Sequence, residues 1–142
     1  MTGQSPLREK SSILLVYTGG TIGMKEDPTI GALTPFDFSQ ILAEVPELRK
    51  FAYKIDSYTF SPLIDSSDVE PGHWVSLVNL IESKYDDYDG FVILHGTDTM
   101  AYSASALSFM IEGLTKPVIF TGSQLPIGIP RTDGKENLIS SV

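Results

Sequence analysis

Cysteine is absent from this sequence, which excludes a disulfide framework, a thiol nucleophile and any cysteine-based metal site. Histidine is nearly absent. His73 and His95 are the only two, and they stand too far apart for metal-ligand spacing, so no metal or other cofactor is called for. Basic residues are outnumbered, ten against eighteen acidic ones, for a net charge of −8, and they form no run. Nucleic-acid binding draws most of its affinity from phosphate neutralisation, so this balance excludes a nucleic-acid partner and serves solubility instead. Long apolar runs are missing too. The polar stretch Met1 to Lys10 is followed by an apolar run from Ile13 to Tyr17, which is too short for a signal-peptide core or a membrane span. A cytoplasmic location and no membrane partner are the expectation.

What is present suits a folded α/β domain. The 142 residues are one domain's worth, and at that size roughly 70% of the unfolded chain's surface is buried on folding. Residues 1–12 read as a flexible leader and 13–142 as the domain. Ile13 to Tyr17 is a continuous apolar run stopped by Thr18-Gly19-Gly20, the pattern of a strand buried on both faces. Thr21 to Phe36, rich in Gly, Pro and Thr, reads as a long mobile loop. A short helix is predicted over Asp37 to Val45 and a second strand over Phe51 to Phe60. Pro71 to Tyr85 carries Trp74, Leu77, Val78, Ile81 and Tyr85 on one helical stripe, with Pro71 in the first turn. Phe91 to Leu94 is a third strand, followed by a helix from Met100 to Ile111 with Gly113 in a C-terminal capping position. Val118 to Thr121 is a fourth strand, and a last helix starts at Gly134. Strands alternating with amphipathic helices predict a three-layer α/β/α fold with a largely parallel central sheet.

In such sheets, ligands bind beyond the carboxyl ends of the strands. Those ends here carry Thr18-Gly19-Gly20-Thr21, Asp65-Ser66-Ser67-Asp68, His95-Gly96-Thr97-Asp98-Thr99 and Thr121-Gly122-Ser123-Gln124. Polar loops converge on one edge of the sheet. The glycine-rich stretch Gly19 to Gly23 matches neither the dinucleotide fingerprint nor the P-loop, and alone it could be a tight turn. Its pairing with the second loop changes the reading. Thr21 and Thr97 each follow a buried strand beside glycines that open backbone N–H groups to a substrate, as acyl transfer requires of a nucleophile and its oxyanion donors. Asp98 is placed to bind a substrate ammonium or polarise a neighbouring hydroxyl, and also to cap the helix near Met100, and the two roles are compatible. His95, at the end of a strand, reads as a positioning residue and not a base.

Val16-Tyr17-Thr18-Gly19-Gly20-Thr21-Ile22-Gly23 and Leu94-His95-Gly96-Thr97-Asp98-Thr99-Met100 resemble the two signature motifs of the bacterial-type L-asparaginases. Asp65-Ser66-Ser67-Asp68 resembles the family's substrate-carboxylate loop in its cytoplasmic, type I form. The resemblance runs from Ser12 onward. It implies hydrolysis of L-asparagine to L-aspartate and ammonia, with Thr21 attacking the side-chain amide carbon to leave a β-aspartyl ester. It further implies that Thr97 acts with a lysine in water attack or proton handling, that Asp98 binds the substrate's α-ammonium, and that Ser66, with Ser67 and Asp65 beside it, binds the α-carboxylate. The backbone N–H groups of Gly20 and Thr97 are the implied oxyanion donors. A homo-oligomer, dimer or tetramer, is implied as well.

The sequence departs from the family in two places. The lysine partner of Thr97 belongs to a later motif, and Lys116 and Lys135 sit in no matching context, so the chain is expected to be the catalytic-loop portion, truncated before the domain end and without the second, smaller domain. Where several members place a tyrosine near the nucleophile, this chain has Gly31-Ala32-Leu33, as some type I relatives do, and the base for Thr21 stays unassigned. Two other readings stay open: a non-catalytic amino-acid-binding module or inactive fragment, and the ammonia-releasing subunit of a transfer-RNA amidotransferase.

Overall fold

A computed structural model describes residues 10–142; the larger part of the leader read over 1–12 lies outside them. The strand after it starts at Ser12. Ser12–Tyr17 forms β1, and from Ile13 to Tyr17 every side chain is buried. Such continuous burial requires cover on both faces. Leu14 and Val16 pack on one side with Phe91, Ile93, Leu77, Ile81 and Leu107. Ile13, Leu15 and Tyr17 pack on the other with Val92, Leu94, Phe38, Ile41, Leu48 and Leu138.

The central sheet adds β4 (Lys54–Thr59), β5 (Gly90–Leu94) and β6 (Val118–Thr121), in the order β4-β1-β5-β6. Every pairing is parallel. On one face lie α2 (Pro71–Lys84) and α3 (Met100–Met110). On the other lie the short α1 (Ile41–Glu44) and α4 (Asp133–Ser141). This is the three-layer α/β/α arrangement. The chain leaves β1 toward β4 and returns across it to β5, so the direction of winding reverses between β1 and β5. That reversal opens a crevice at the carboxyl ends of these two strands.

Local signals explain most boundaries. Pro71 sits in the first turn of α2, and the Glu70 N–H donates to His73 Nδ1 at 3.0 Å, so His73 serves the helix start. Thr132 caps α4 by accepting the Gly134 N–H at 2.9 Å.

Three readings need correction. Thr21 to Phe36 is no open loop: after a 3₁₀ turn at Thr21–Gly23 it forms an antiparallel hairpin of β2 (Met24–Glu26) and β3 (Leu33–Pro35). Its tip is closed by Asp27, whose carboxylate accepts the Thr29 N–H at 2.8 Å, and by Gly31 at φ 65°. The helix read over Asp37 to Val45 is instead a 3₁₀ turn at Phe38–Gln40 running into α1, which stops because Val45 precedes Pro46 and takes φ −127°. A further 3₁₀ turn, Pro46–Lys50, follows. Gly113, at φ 66°, stands in the turn beyond α3, whose C-cap is Ile111.

Candidate active site

The parallel ladder continues past the strands and places the polar loops. The Thr18 N–H and hydroxyl both donate to the Leu94 carbonyl, at 3.0 and 2.8 Å, so the loop after β1 is fastened to the end of β5. The Ile64 N–H donates to Thr18 O at 2.8 Å and ties in the loop after β4. The His95 N–H donates to Thr121 O at 2.9 Å and ties in the loop after β6.

Beyond these anchors the loops close on one another with almost no side chain between them. Gly20 has φ 92° and ψ 168°, a conformation essentially reserved for glycine. A Cβ there would stand 2.6 Å from the Gly96 nitrogen and 2.7 Å from its Cα. A Cβ on Gly96 would in turn run into the hydroxyl of Ser66. The glycines of the two threonine loops are therefore what lets those loops touch.

The result is a cavity of about 520 Å³ lined by residues of all four loops, among them Gly20, Thr21, Asp65, Ser66, Thr97 and Asp98. That volume suits a small ligand. Met24 and Pro35, paired at the base of the hairpin, form one wall. Asp98 does not cap α3; the N-cap position is Thr99, whose hydroxyl donates to the Ser66 carbonyl at 2.6 Å and joins α3 to the loop after β4. The Asp98 carboxylate is exposed to the cavity and has no hydrogen-bond partner among the described residues. It is free to meet a cation.

Ser66 is 6% exposed and lines the cavity, whereas Ser67 is turned away. The Ser67 N–H and hydroxyl both donate to Asp65 Oδ1, at 2.9 and 2.8 Å. Those two bonds, the backbone one first, hold the Asp65 carboxyl below its usual range. Asp65 thus shapes the turn that presents Ser66 as well as lining the site.

Ser123 and Gln124, placed by the sequence at the site's edge as supporting residues or the wall of an effector site, line the cavity itself. Gln124, in the loop after β6, donates from Nε2 to the Thr97 hydroxyl at 3.2 Å, and Ser123 lines the cavity beside it. Asp133 fixes this loop by accepting the Gln124 and Leu125 N–H groups at 2.9 and 3.0 Å. Their place after the fourth strand was the available signal. Tyr17 is fully buried and stacked on Phe38, and its hydroxyl donates to the Gly20 carbonyl at 3.0 Å. Burial pushes that phenol up to about 12, so it stays protonated. No lysine lines the cavity among the described residues. Lys116 donates to the Tyr85 carbonyl and lies over that ring, 4.6 Å from its centroid, in a different part of the molecule. Gly31, Ala32 and Leu33 are exposed on the hairpin and do not line the cavity.

Comparison with known proteins matches residues 12–142 to the family model described as asparaginase, N-terminal. The chain is 50% identical to L-asparaginase 1 of Escherichia coli over 137 residues, covering 94% of this chain and 40% of that protein. Its fold superimposes on the crystal structure of L-asparaginase I from Vibrio cholerae with a TM-score of 0.83, at 48% identity over 92% of this chain and 39% of the other. A probable cytoplasmic L-asparaginase from Campylobacter jejuni gives a TM-score of 0.76 at 32% identity, over 91% and 38%. This chain therefore spans about two fifths of the length of the relatives it matches, and it belongs to the asparaginase family through that family's N-terminal domain.

Proposed function

We propose that this chain supplies the nucleophile and the substrate clamp of an L-asparaginase. The observation that carries the reading is the meeting of Thr21, Thr97, Asp98 and Ser66 in one cavity. L-asparagine is a small zwitterion with two charged ends and one amide. The unpaired Asp98 carboxylate takes the ammonium, and Ser66, on its Asp65-braced turn, takes the carboxylate. Fixing both ends brings the side-chain amide to Thr21, and positioning of this kind is worth about 7–11 kcal/mol in the most favourable cases.

The Thr21 hydroxyl attacks the amide carbon, and the Gly20 and Thr97 N–H groups receive the charge that develops on its oxygen. The hydroxyl proton passes to the amide nitrogen, the C–N bond breaks, ammonia leaves, and a β-aspartyl ester remains on Thr21. Water then cleaves the ester, releasing L-aspartate and returning the proton to Thr21. Thr97 belongs to this water step, held by Gln124, with its lysine partner supplied by the segment that relatives carry beyond this one.

We further infer a homo-oligomer, dimer or tetramer. Tyr102 at 70% exposure and Phe109 at 88% leave an apolar stretch of α3 uncovered, which supports it. We infer a cytoplasmic location, which the likeness to the probable cytoplasmic L-asparaginase of Campylobacter jejuni supports; among the described residues no helix is long and apolar enough to cross a membrane.

The test is ammonia release from L-asparagine, measured on this chain alone and on the chain joined to the segment its relatives carry beyond it. Thr21→Ala should lower turnover on the order of a thousandfold or more, as loss of a covalent nucleophile does. Saturable aspartate binding with no turnover in either form would show a binding module instead.

A further inference from the structure

A line of polar groups, partly buried at Trp74 and buried at Ser103 and His95, runs from the helical layer to the cavity wall without opening into it. Trp74 on α2 donates its indole N–H to Ser103 Oγ on α3 at 2.9 Å. Ser103 Oγ lies 2.9 Å from His95 Nε2, and His95 Nδ1 lies 2.7 Å from the Gly96 carbonyl oxygen. Ser103 is 0% exposed and His95 5%.

With the His95 ring neutral, as its burial favours, the two ends of the line fix the direction of every bond in it. An indole N–H can only donate and a carbonyl can only accept. Nδ1 must therefore carry the ring proton, Nε2 must be bare, and the Ser103 proton must point to Nε2. His95 is neutral with both ring nitrogens engaged, which leaves it no capacity to act as a base. Its burial also disfavours the charged ring.

The accepting carbonyl and the Thr97 N–H belong to one peptide group. That bond is trans, and in a planar trans peptide the C=O and N–H point in opposite directions. Holding the carbonyl toward His95 turns the N–H away from it. The Thr97 N–H has no acceptor among the described residues. A hydrogen bond to the carbonyl also polarises the amide and strengthens its N–H as a donor.

We propose that Trp74, Ser103 and His95 form a positioning relay that aims and polarises the Gly96–Thr97 peptide, so that its N–H meets the oxygen on which charge develops. This rests on the asparaginase reading above. Neither His95 nor Ser103 touches substrate; both act through the backbone of the loop.

Two measurements test the relay, both on the full chain in the form that turns over asparagine. In the first, long-range ¹H–¹⁵N spectra of the His95 ring are recorded with His73→Asn present, leaving His95 as the one histidine of residues 1–142, and its signals are assigned by their loss in His95→Asn. A protonated Nδ1 and a bare Nε2 are expected at neutral pH, with Ser103→Ala relaxing the ring toward a tautomer mixture. In the second, Ser103→Ala and His95→Leu should lower kcat about tenfold to a hundredfold with KM changed less than about threefold, somewhat below the loss of a whole oxyanion donor. His95→Asn keeps an N–H where Nδ1 stands and should recover most of the rate. Should His95→Leu fail to fold, Ser103→Ala and Trp74→Phe still decide the matter.

An Nε2-protonated or cationic ring overturns the relay, as does an unchanged kcat in Ser103→Ala. If the unsubstituted protein turns over no amide, the asparaginase reading falls instead, and the ring spectrum still decides whether the relay exists.

Discussion

Gly20 is the residue at which the fold and the site are least separable, and Gly20→Ala gives a prediction that can be worked from distances. Its backbone, at φ 92° and ψ 168°, lies in a region that side chains essentially never occupy, and occupying it costs about 1–3 kcal/mol. The added methyl would also sit 2.6 Å from the Gly96 nitrogen and 3.0 Å from the His95 carbonyl carbon. Ordinary contact begins near 3.4 Å, so the two loops must part by several tenths of an ångström. Both loops are anchored by backbone bonds, Thr18 to Leu94 and His95 to Thr121, so neither can swing aside without breaking one. Together these effects should destabilise the protein by about 2–4 kcal/mol. They also displace the proposed nucleophile from its oxyanion donors, and a misplacement near 1 Å can cost on the order of a hundredfold in rate. Gly31→Ala is the matched control: φ is also positive, at 65°, but nothing lies within 4 Å. It should cost about 1–2 kcal/mol and leave kcat unchanged. Urea unfolding and ammonia release, measured on both variants, separate the terms. If Gly20→Ala retained full kcat, the contact between the loops would not set the catalytic geometry, and the reasoning would fail.

Two more perturbations probe the scaffold. Leu15→Ala removes a fully buried side chain from the central strand and should cost about 2–5 kcal/mol in urea unfolding without altering KM in molecules that remain folded. Asp133→Ala frees the loop bearing Gln124 and should cost about 1 kcal/mol near neutral pH. The sign of its pH dependence follows from the Asp133 carboxyl, which the Gln124 N–H and then the Leu125 N–H hold below the ordinary 3.8. A depressed carboxyl stabilises the fold fully above that ordinary value and loses its contribution as pH falls through the lower folded one. The stability difference between wild type and Asp133→Ala should therefore be constant above about pH 5 and shrink below 3.8.

The strands of the sheet core were legible because burial on both faces leaves an unbroken apolar run, as in Leu14-Leu15-Val16 and Phe91-Val92-Ile93. Pro71 and the stripe from Trp74 to Tyr85 marked α2 for the matching helical reason. The β2–β3 hairpin left no such mark. Strands of three residues are too short to show a period, and their composition of Gly, Pro and Thr is what a loop would also have. The four loops at the site were legible as a group, since each follows a strand. Their internal hydrogen bonding was not. Nothing in Asp65-Ser66-Ser67 says that the second hydroxyl turns back onto the aspartate while the first lines the cavity. Nor does Asp98, one residue before the true N-cap, announce that its carboxylate is left free.

The register of the sheet explains how the loops of this site come into contact. Tyr17 pairs with Thr59 on one side and Leu94 on the other, and Leu94 pairs with Thr121, so four strands finish at one level. Adjacent parallel strands lie about 4.8 Å apart, which brings the chains leaving β1 and β5 into backbone contact wherever no Cβ intervenes. Gly20 against Gly96, and Gly96 against Ser66, are that contact. A slip of one residue in β1 would move Leu14 and Val16 to the wrong face, so the apolar core that stabilises the sheet also fixes where Thr21 stands relative to Thr97. The geometry of the candidate site is thus specified by the hydrophobic pattern of β1 and β5, and the polar loops need only supply their groups to a position that the core has already chosen.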